Sequence, residues 1–167
     1  GSYCEEPISI MNELYFFFHI FLLVSFVLLA LRIGKEALIA CFAVQMILAN
    51  LFVLKQMSCF GLDVTCADVY TISALFSLNL IQEYFGKQCA KHVIWIVFFV
   101  LLLFLVMSKL HLQYAPSQYD SIHQAYATIL GYVPRITFTS FFVTLFTQKL
   151  DIKIFGFLKK RLSEKAL

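Results

Sequence analysis

Charge is scarce in this chain: 14% of its 167 residues are Asp, Glu, Lys or Arg, where soluble domains carry about 25%. So few charges cannot cover a water-facing surface, which excludes a soluble globular domain. Cysteine is present but unorganised, with five residues (Cys4, Cys41, Cys59, Cys66, Cys89) and no C-x-x-C spacing, so metal and redox motifs find no support. The zincin H-E-x-x-H, the nucleophile elbow G-x-S-x-G and the phosphate loop G-x-x-x-x-G-K are also missing. No catalytic residue, metal site or cofactor is therefore expected, and the chain reads as a non-enzyme.

What is abundant is apolar length: 61% of residues are hydrophobic, 19 are Phe, and the mean hydropathy is +0.84. A bilayer core about 30 Å thick requires roughly 20 apolar residues at 1.5 Å rise each. Leu14–Leu31 is an uncharged run of 18 residues, opened by Tyr15, Phe16, Phe17 and Phe18 and closed by Arg32-Ile33-Gly34-Lys35. It lacks a basic leader and a small-residue cleavage site, so it is a retained helix and not a signal peptide. Ala37–Leu54 is a second uncharged run of 18, interrupted by Gln45 and Asn50, and the short linker demands an antiparallel hairpin. Only 14 uncharged residues separate Asp68 from Glu83, a reach of about 21 Å as helix, so the third span is the unusual one. Val93–Ser108 is the plainest lipid-facing span, and Ile129–Gln148 is a fifth that includes Pro134 and Arg135. From Lys149 the chain turns amphipathic and basic, as an interfacial helix does on an anionic leaflet.

The fold class expected is all-α, a polytopic membrane helix bundle of about five transmembrane helices plus a C-terminal amphipathic basic segment. Residues 1–10 read as a tail whose Gly1 and Ser2 are a cloning scar or clipped start, and 11–167 as one membrane domain. Ten of the 13 basic residues fall on one side of these spans, against Lys55 and Lys109 on the other and Arg135 within a span. The positive-inside rule then puts the N-terminus outside and the basic tail in the cytoplasm. The net charge of +3 reports this topology and an anionic leaflet, with no nucleic-acid partner implied.

Polar groups at membrane depth are costly unless paired or solvated in a cavity, so they mark the candidate site. Asn79 and Glu83 stand four apart on one face of the third span, beside Gln82. Gln148 and Asp151 lie at matching depth in the fifth, and Asn50 near the end of the second. Arg135 either pairs with Asp68 across the bundle or snorkels outward. His19 reads as a packed, hydrogen-bonded group in preference to a proton relay. With aromatics such as Tyr70, Phe76 and Phe142, the set suits a flat ligand with polar edges.

Three segments carry a resemblance: Ala49-Asn50-Leu51-Phe52-Val53-Leu54-Lys55; Asn79-Leu80-Ile81-Gln82-Glu83-Tyr84-Phe85-Gly86-Lys87 with Ala90; and Arg135-Ile136 followed by Gln148-Lys149-Leu150-Asp151 and Phe155. Together, over roughly Ala37 to Leu158, they resemble the queuosine precursor transporter family, grouped with vitamin-uptake-like membrane proteins. The resemblance implies a six-helix core that moves 7-deazaguanine-type bases, purine-like small molecules used in tRNA modification. It implies a site in which Glu83 and Asn79 take the base's donor edge, Gln148 and Asn50 add amide hydrogen bonds, and Arg135 reads an acceptor or fixes the helices. Members often carry Asp where this chain has Asn79. The first span looks like an added N-terminal helix and the family's closing pair is missing, so the chain is expected to be a partial copy; the resemblance implies a bacterial inner membrane, with a homo-oligomer as one candidate assembly. Two other readings stay open, the substrate-binding subunit of an ATPase-driven vitamin importer and a non-transporting membrane scaffold.

The topology is directly testable. A membrane-impermeant thiol reagent should reach a cysteine placed at Ser117 in intact cells and one at Ser163 only after permeabilisation; the reverse pattern overturns the orientation.

Overall fold

The computed structural model describes residues 6–65 and 67–165 and divides into two compact units, Gly1–Val133 and Pro134–Leu167. Its elements in chain order are α1 (Glu6–Ile33), α2 (Lys35–Phe52), β1 (Gln56–Cys59), β2 (Leu62–Thr65), α3 (Ala67–Phe85), α4 (Lys87–His111) and α5 (His123–Lys165). The fold is an all-α membrane bundle, with four helical segments long and apolar enough to span a bilayer: Met11–Ile33, Lys35–Phe52, Lys87–His111 and His123–Thr147. α3 is less apolar, but its 19 residues reach roughly 28 Å, and it runs between turns that return the chain to α2 and α4. The third span is thus longer than the uncharged run suggests, because helix continues past both acidic ends. α5 likewise begins at His123, before the expected fifth span, and Pro134 lies inside it.

Two helix reversals take place in one residue each. Gly34 (φ 146°) separates α1 from α2, and Gly86 (φ 88°) separates α3 from α4. Each glycine donates its N–H to the outgoing helix, Gly34 to Ala30 O at 3.0 Å and Gly86 to Gln82 O at 3.0 Å. Each also offers its carbonyl to the incoming helix, to Leu38 N and Ala90 N, both at 3.1 Å. Both backbone groups of each glycine are thus hydrogen-bonded, and only glycine adopts these dihedrals without strain. A lysine follows each corner, Lys35 and Lys87.

The core of the first unit lies toward the glycine corners. Val27 and Ala30 of α1, Leu38, Phe42 and Met46 of α2, Ala74, Leu78 and Ile81 of α3, and Ala90, Val93 and Val97 of α4 form one buried cluster. α2 and α3 make the most extensive helix contact, with small residues Ala43, Ala49, Ser73, Ala74 and Ser77 buried on their facing sides. Small side chains let backbones approach, which is the main source of helix association where lipid replaces water. Most of α1 beyond Val27 and Ala30 is exposed, including Phe17, Phe18, Phe21 and Phe26, as befits a lipid-facing helix.

At the opposite end α2 and α3 are joined by an antiparallel hairpin, β1 to β2, that pairs Gln56 with Thr65 and Cys59 with Leu62. Its two turn residues, Phe60 (φ 54°) and Gly61 (φ 71°), both adopt positive φ, the pattern of a type I′ turn. α1 holds the hairpin: Asn12 Nδ2 donates to Ser58 O at 2.8 Å and Phe60 N–H donates to Glu13 Oε1 at 3.2 Å. The Phe60 ring stands edge-on to Phe16 and Phe17, with centroids 5.7 and 6.0 Å away. Those contacts hold a phenylalanine where backbone preference alone disfavours it. Cys59 is a buried free thiol; pairing it with Cys66 would involve a residue outside those described.

Between α4 and α5, the Asp120 carboxylate accepts N–H bonds from Ile122 (2.7 Å) and His123 (3.0 Å), which hold its pKa below the usual carboxylate range. It caps the start of α5 as an N-terminal Asx residue does.

A side chain added at Gly61 would meet nothing within 4 Å, so any cost there belongs to the backbone. Gly61→Val should destabilise the detergent-solubilised protein by roughly 1 to 2 kcal/mol, and Gly61→Asn by much less. Equal unfolding midpoints for the two variants would show that the turn does not require a left-handed residue.

Candidate functional site

The facing surfaces of α2 and α3 decide where each candidate side chain is placed. α3 buries Ser73, Ala74, Ser77, Leu78 and Ile81 against its neighbours, which turns Asn79 and Glu83 onto the other face, where both are exposed. Four-residue spacing stacks these two on one stripe, as the sequence indicated. Asn50 is not brought to them: it is buried within the unit, and its Nδ2 donates to Met46 O of its own helix at 2.8 Å. Asp68 is exposed at the start of α3. Arg135 is exposed and belongs to the second unit, as does Gln148, whose side chain lies outside those described. The basic segment beyond Lys149 is helical through Lys165, and its side chains are likewise outside those described.

Inside the α2–α3 seam lies a polar cluster that the sequence reading passed over. Ser77 Oγ stands 3.3 Å from Gln45 Oε1 and 3.0 Å from Ser73 O, and its single proton is shared between these acceptors. Gln45 Nε2 is 3.5 Å from Cys41 Sγ, while Ser73 Oγ is buried with no partner. Gln45 and Ser77 are 2% and 0% exposed, so their bond joins the two helices away from lipid and from water. The signal was available: Gln45 interrupts an uncharged run, and Ser73 and Ser77 stand one helical turn apart on the short span. His19, expected to be a packed histidine, meets Tyr70 edge-on at 4.6 Å, and Tyr70 in turn meets Phe52 at 5.7 Å.

Among the described residues no group of three or more His, Cys, Asp or Glu side chains is placed to hold a metal ion. The exposed Asn79–Glu83 stripe can offer an amide and a carboxylate acceptor to a ligand, or accept another polar helix surface. Helices long and apolar enough to cross a bilayer on both sides of this stripe define the class, a multi-pass membrane protein. Residues 65–167 match the family described as "Putative vitamin uptake transporter", more than half of the chain, and the chain belongs to that family. It is also 27% identical over 149 residues to the "Probable queuosine precursor transporter" of Bacillus subtilis (strain 168), an alignment covering 89% of this chain and 65% of that protein. The chain thus spans under two thirds of the length of that curated relative. No solved structure matches. Both findings agree with the resemblance read from the E-x-x-G-K and R-I segments, and Gly86 of the first is the residue on which α3 turns into α4.

The seam bond is open to a double-mutant cycle on Gln45→Leu and Ser77→Ala. Its coupling energy should be about 0.6 kcal/mol and at most about 1.7 kcal/mol, read from unfolding in detergent; zero coupling would mean that the helices are held by shape alone.

Proposed function

We propose that this chain is part of a transporter that imports a 7-deazaguanine-type base, with Asn79 and Glu83 as ligand-contact residues on α3. The observation that carries this reading is their joint exposure on a helix confined between spanning neighbours. Membership of an uptake family and similarity to a protein named as a queuosine precursor transporter support the substrate class. In this reading Glu83 accepts from the N–H edge of the base and Asn79 adds an amide hydrogen bond. Arg135 and Gln148 lie in the second unit and are not assigned to this stripe, and the Asn50 amide is held by Met46 O of its own helix. Recognition comes from matching a planar edge of donors and acceptors. In this reading the protein works in the bacterial inner membrane with its basic tail inward, and nucleic acid has no part in it.

The test uses cells unable to make the deazaguanine precursor and a labelled base. Glu83→Gln removes one charge from an exposed position, so it should accumulate as folded protein to parental levels while uptake falls at least about tenfold, equivalent to roughly 1.4 kcal/mol of recognition. Parental uptake by Glu83→Gln removes this residue from the site. Absence of uptake by the unsubstituted protein, together with copurification of an ATPase, would favour the importer-subunit reading.

A further inference from the structure

Away from the Asn79–Glu83 stripe, α1, the end of α2, β1 and the start of α3 border a half-open cavity of about 620 Å³. It lies at the end opposite the glycine corners, where the apolar core has ended and the hairpin props α1 against the bundle. The volume is that of a small-molecule pocket and far exceeds an ion. Its walls are aromatic, with Tyr70 facing His19 at an interplanar angle of 67° and Phe52 at 45°, which offers a flat guest both ring faces and ring edges. Lys55 supplies the lining's formal charge, and no carboxylate lines the cavity. Its ammonium has no ion-pair partner among the described residues, and Asn12 and His19 add polar groups on the α1 side.

We propose that this cavity is a second binding site, taking a planar heteroaromatic base that presents a carbonyl or anionic acceptor edge. The base stacks against Tyr70 and Phe52, and its acceptor edge meets Lys55. The same chemistry disfavours a cationic guest, which would meet the ammonium, and an alkyl chain, which offers neither an acceptor to Lys55 nor a flat face to the rings. Most of the lining, from Asn12 to Met57, precedes the residues matched to the uptake family. The site is therefore a feature of this chain's N-terminal half, and rests on the transport reading only for the choice of first probe.

The experiment places a cysteine at Leu22, a lining residue, in protein whose five native cysteines are replaced by alanine, reconstituted in nanodiscs. Maleimide modification of Leu22→Cys is timed with 7-deazaguanine, guanine, cyclohexanecarboxylate or octyl glucoside. The two bases should slow modification, while the saturated carboxylate and the alkyl glucoside should not. Equilibrium dialysis of labelled guanine with the unmodified protein gives an independent binding constant, which Lys55→Gln and Tyr70→Leu should each weaken about tenfold, or 1.4 kcal/mol. Modification at one rate under all four probes, equal protection by octyl glucoside, or unchanged guanine binding in both variants would each overturn the proposal. Base uptake measured in parallel separates the two readings: protection without uptake sinks transport and keeps this site, and uptake with Leu22→Cys unprotected does the reverse.

Discussion

Close contact between α2 and α3 is the constraint on which the first unit depends. In lipid, burial of apolar side chains gives helices no preference for one another over acyl chains, so association rests on packing and on the few hydrogen bonds that cross the seam. Ala43, Ala49, Ser73, Ala74 and Ser77 supply the packing, and the Gln45–Ser77 bond fixes the register. Once that face of α3 is committed to α2, the helix period leaves Asn79 and Glu83 no choice but the opposite side. The glycine corners then bring α1 and α4 back along the same pair, and the apolar cluster near them closes one end of the unit.

The opposite end is organised differently. No single glycine joins α2 to α3; instead ten residues form a hairpin whose strands pair their inward-facing backbone groups and whose tip is held by Asn12, Glu13 and two phenylalanines of α1. An open loop here would bring unpaired N–H and C=O groups against the apolar face of α1, which is unfavourable near a bilayer. The hairpin avoids that and spaces α1 from α3, and the space it leaves is the aromatic cavity. The two ends of the unit therefore differ in kind, one packed tightly and one held apart.

The helical bundle was legible because it rests on apolar run length, which bilayer thickness translates directly into spans. The tight α1–α2 turn was legible from the shortness of its linker. The hairpin was not, since its strands are four residues each and its turn residues Phe60-Gly61 are not the usual Asn-Gly pair; what stabilises Phe60 there is tertiary contact with α1, which no local pattern records. The pairing of Asn79 with Glu83 followed from a four-residue spacing and survives in the structure. That Asn50 belongs to a different environment depended on which face of α2 meets α3, and residue spacing within one helix is silent on that. The seam cluster was missed because attention went to charged and amide groups near span ends, whereas Gln45 and Ser77 lie well inside.

A polar stripe facing outward and an aromatic cavity at one end point to different demands on the same small bundle. A carboxylate at membrane depth is tolerated only beside water, a partner helix or a ligand, so the Asn79–Glu83 face is incomplete without one of them. The cavity, by contrast, draws its lining from the first unit, from α1, α2, the hairpin and α3. The match to the uptake-family model begins at residue 65 and takes in the stripe, while most of the cavity lining precedes it, and the alignment with the curated relative extends well before that residue. An N-terminal helix that contributes little to the buried core, yet holds the hairpin by two hydrogen bonds and an aromatic cluster, is placed to shape the approach to the bundle more than to stabilise it.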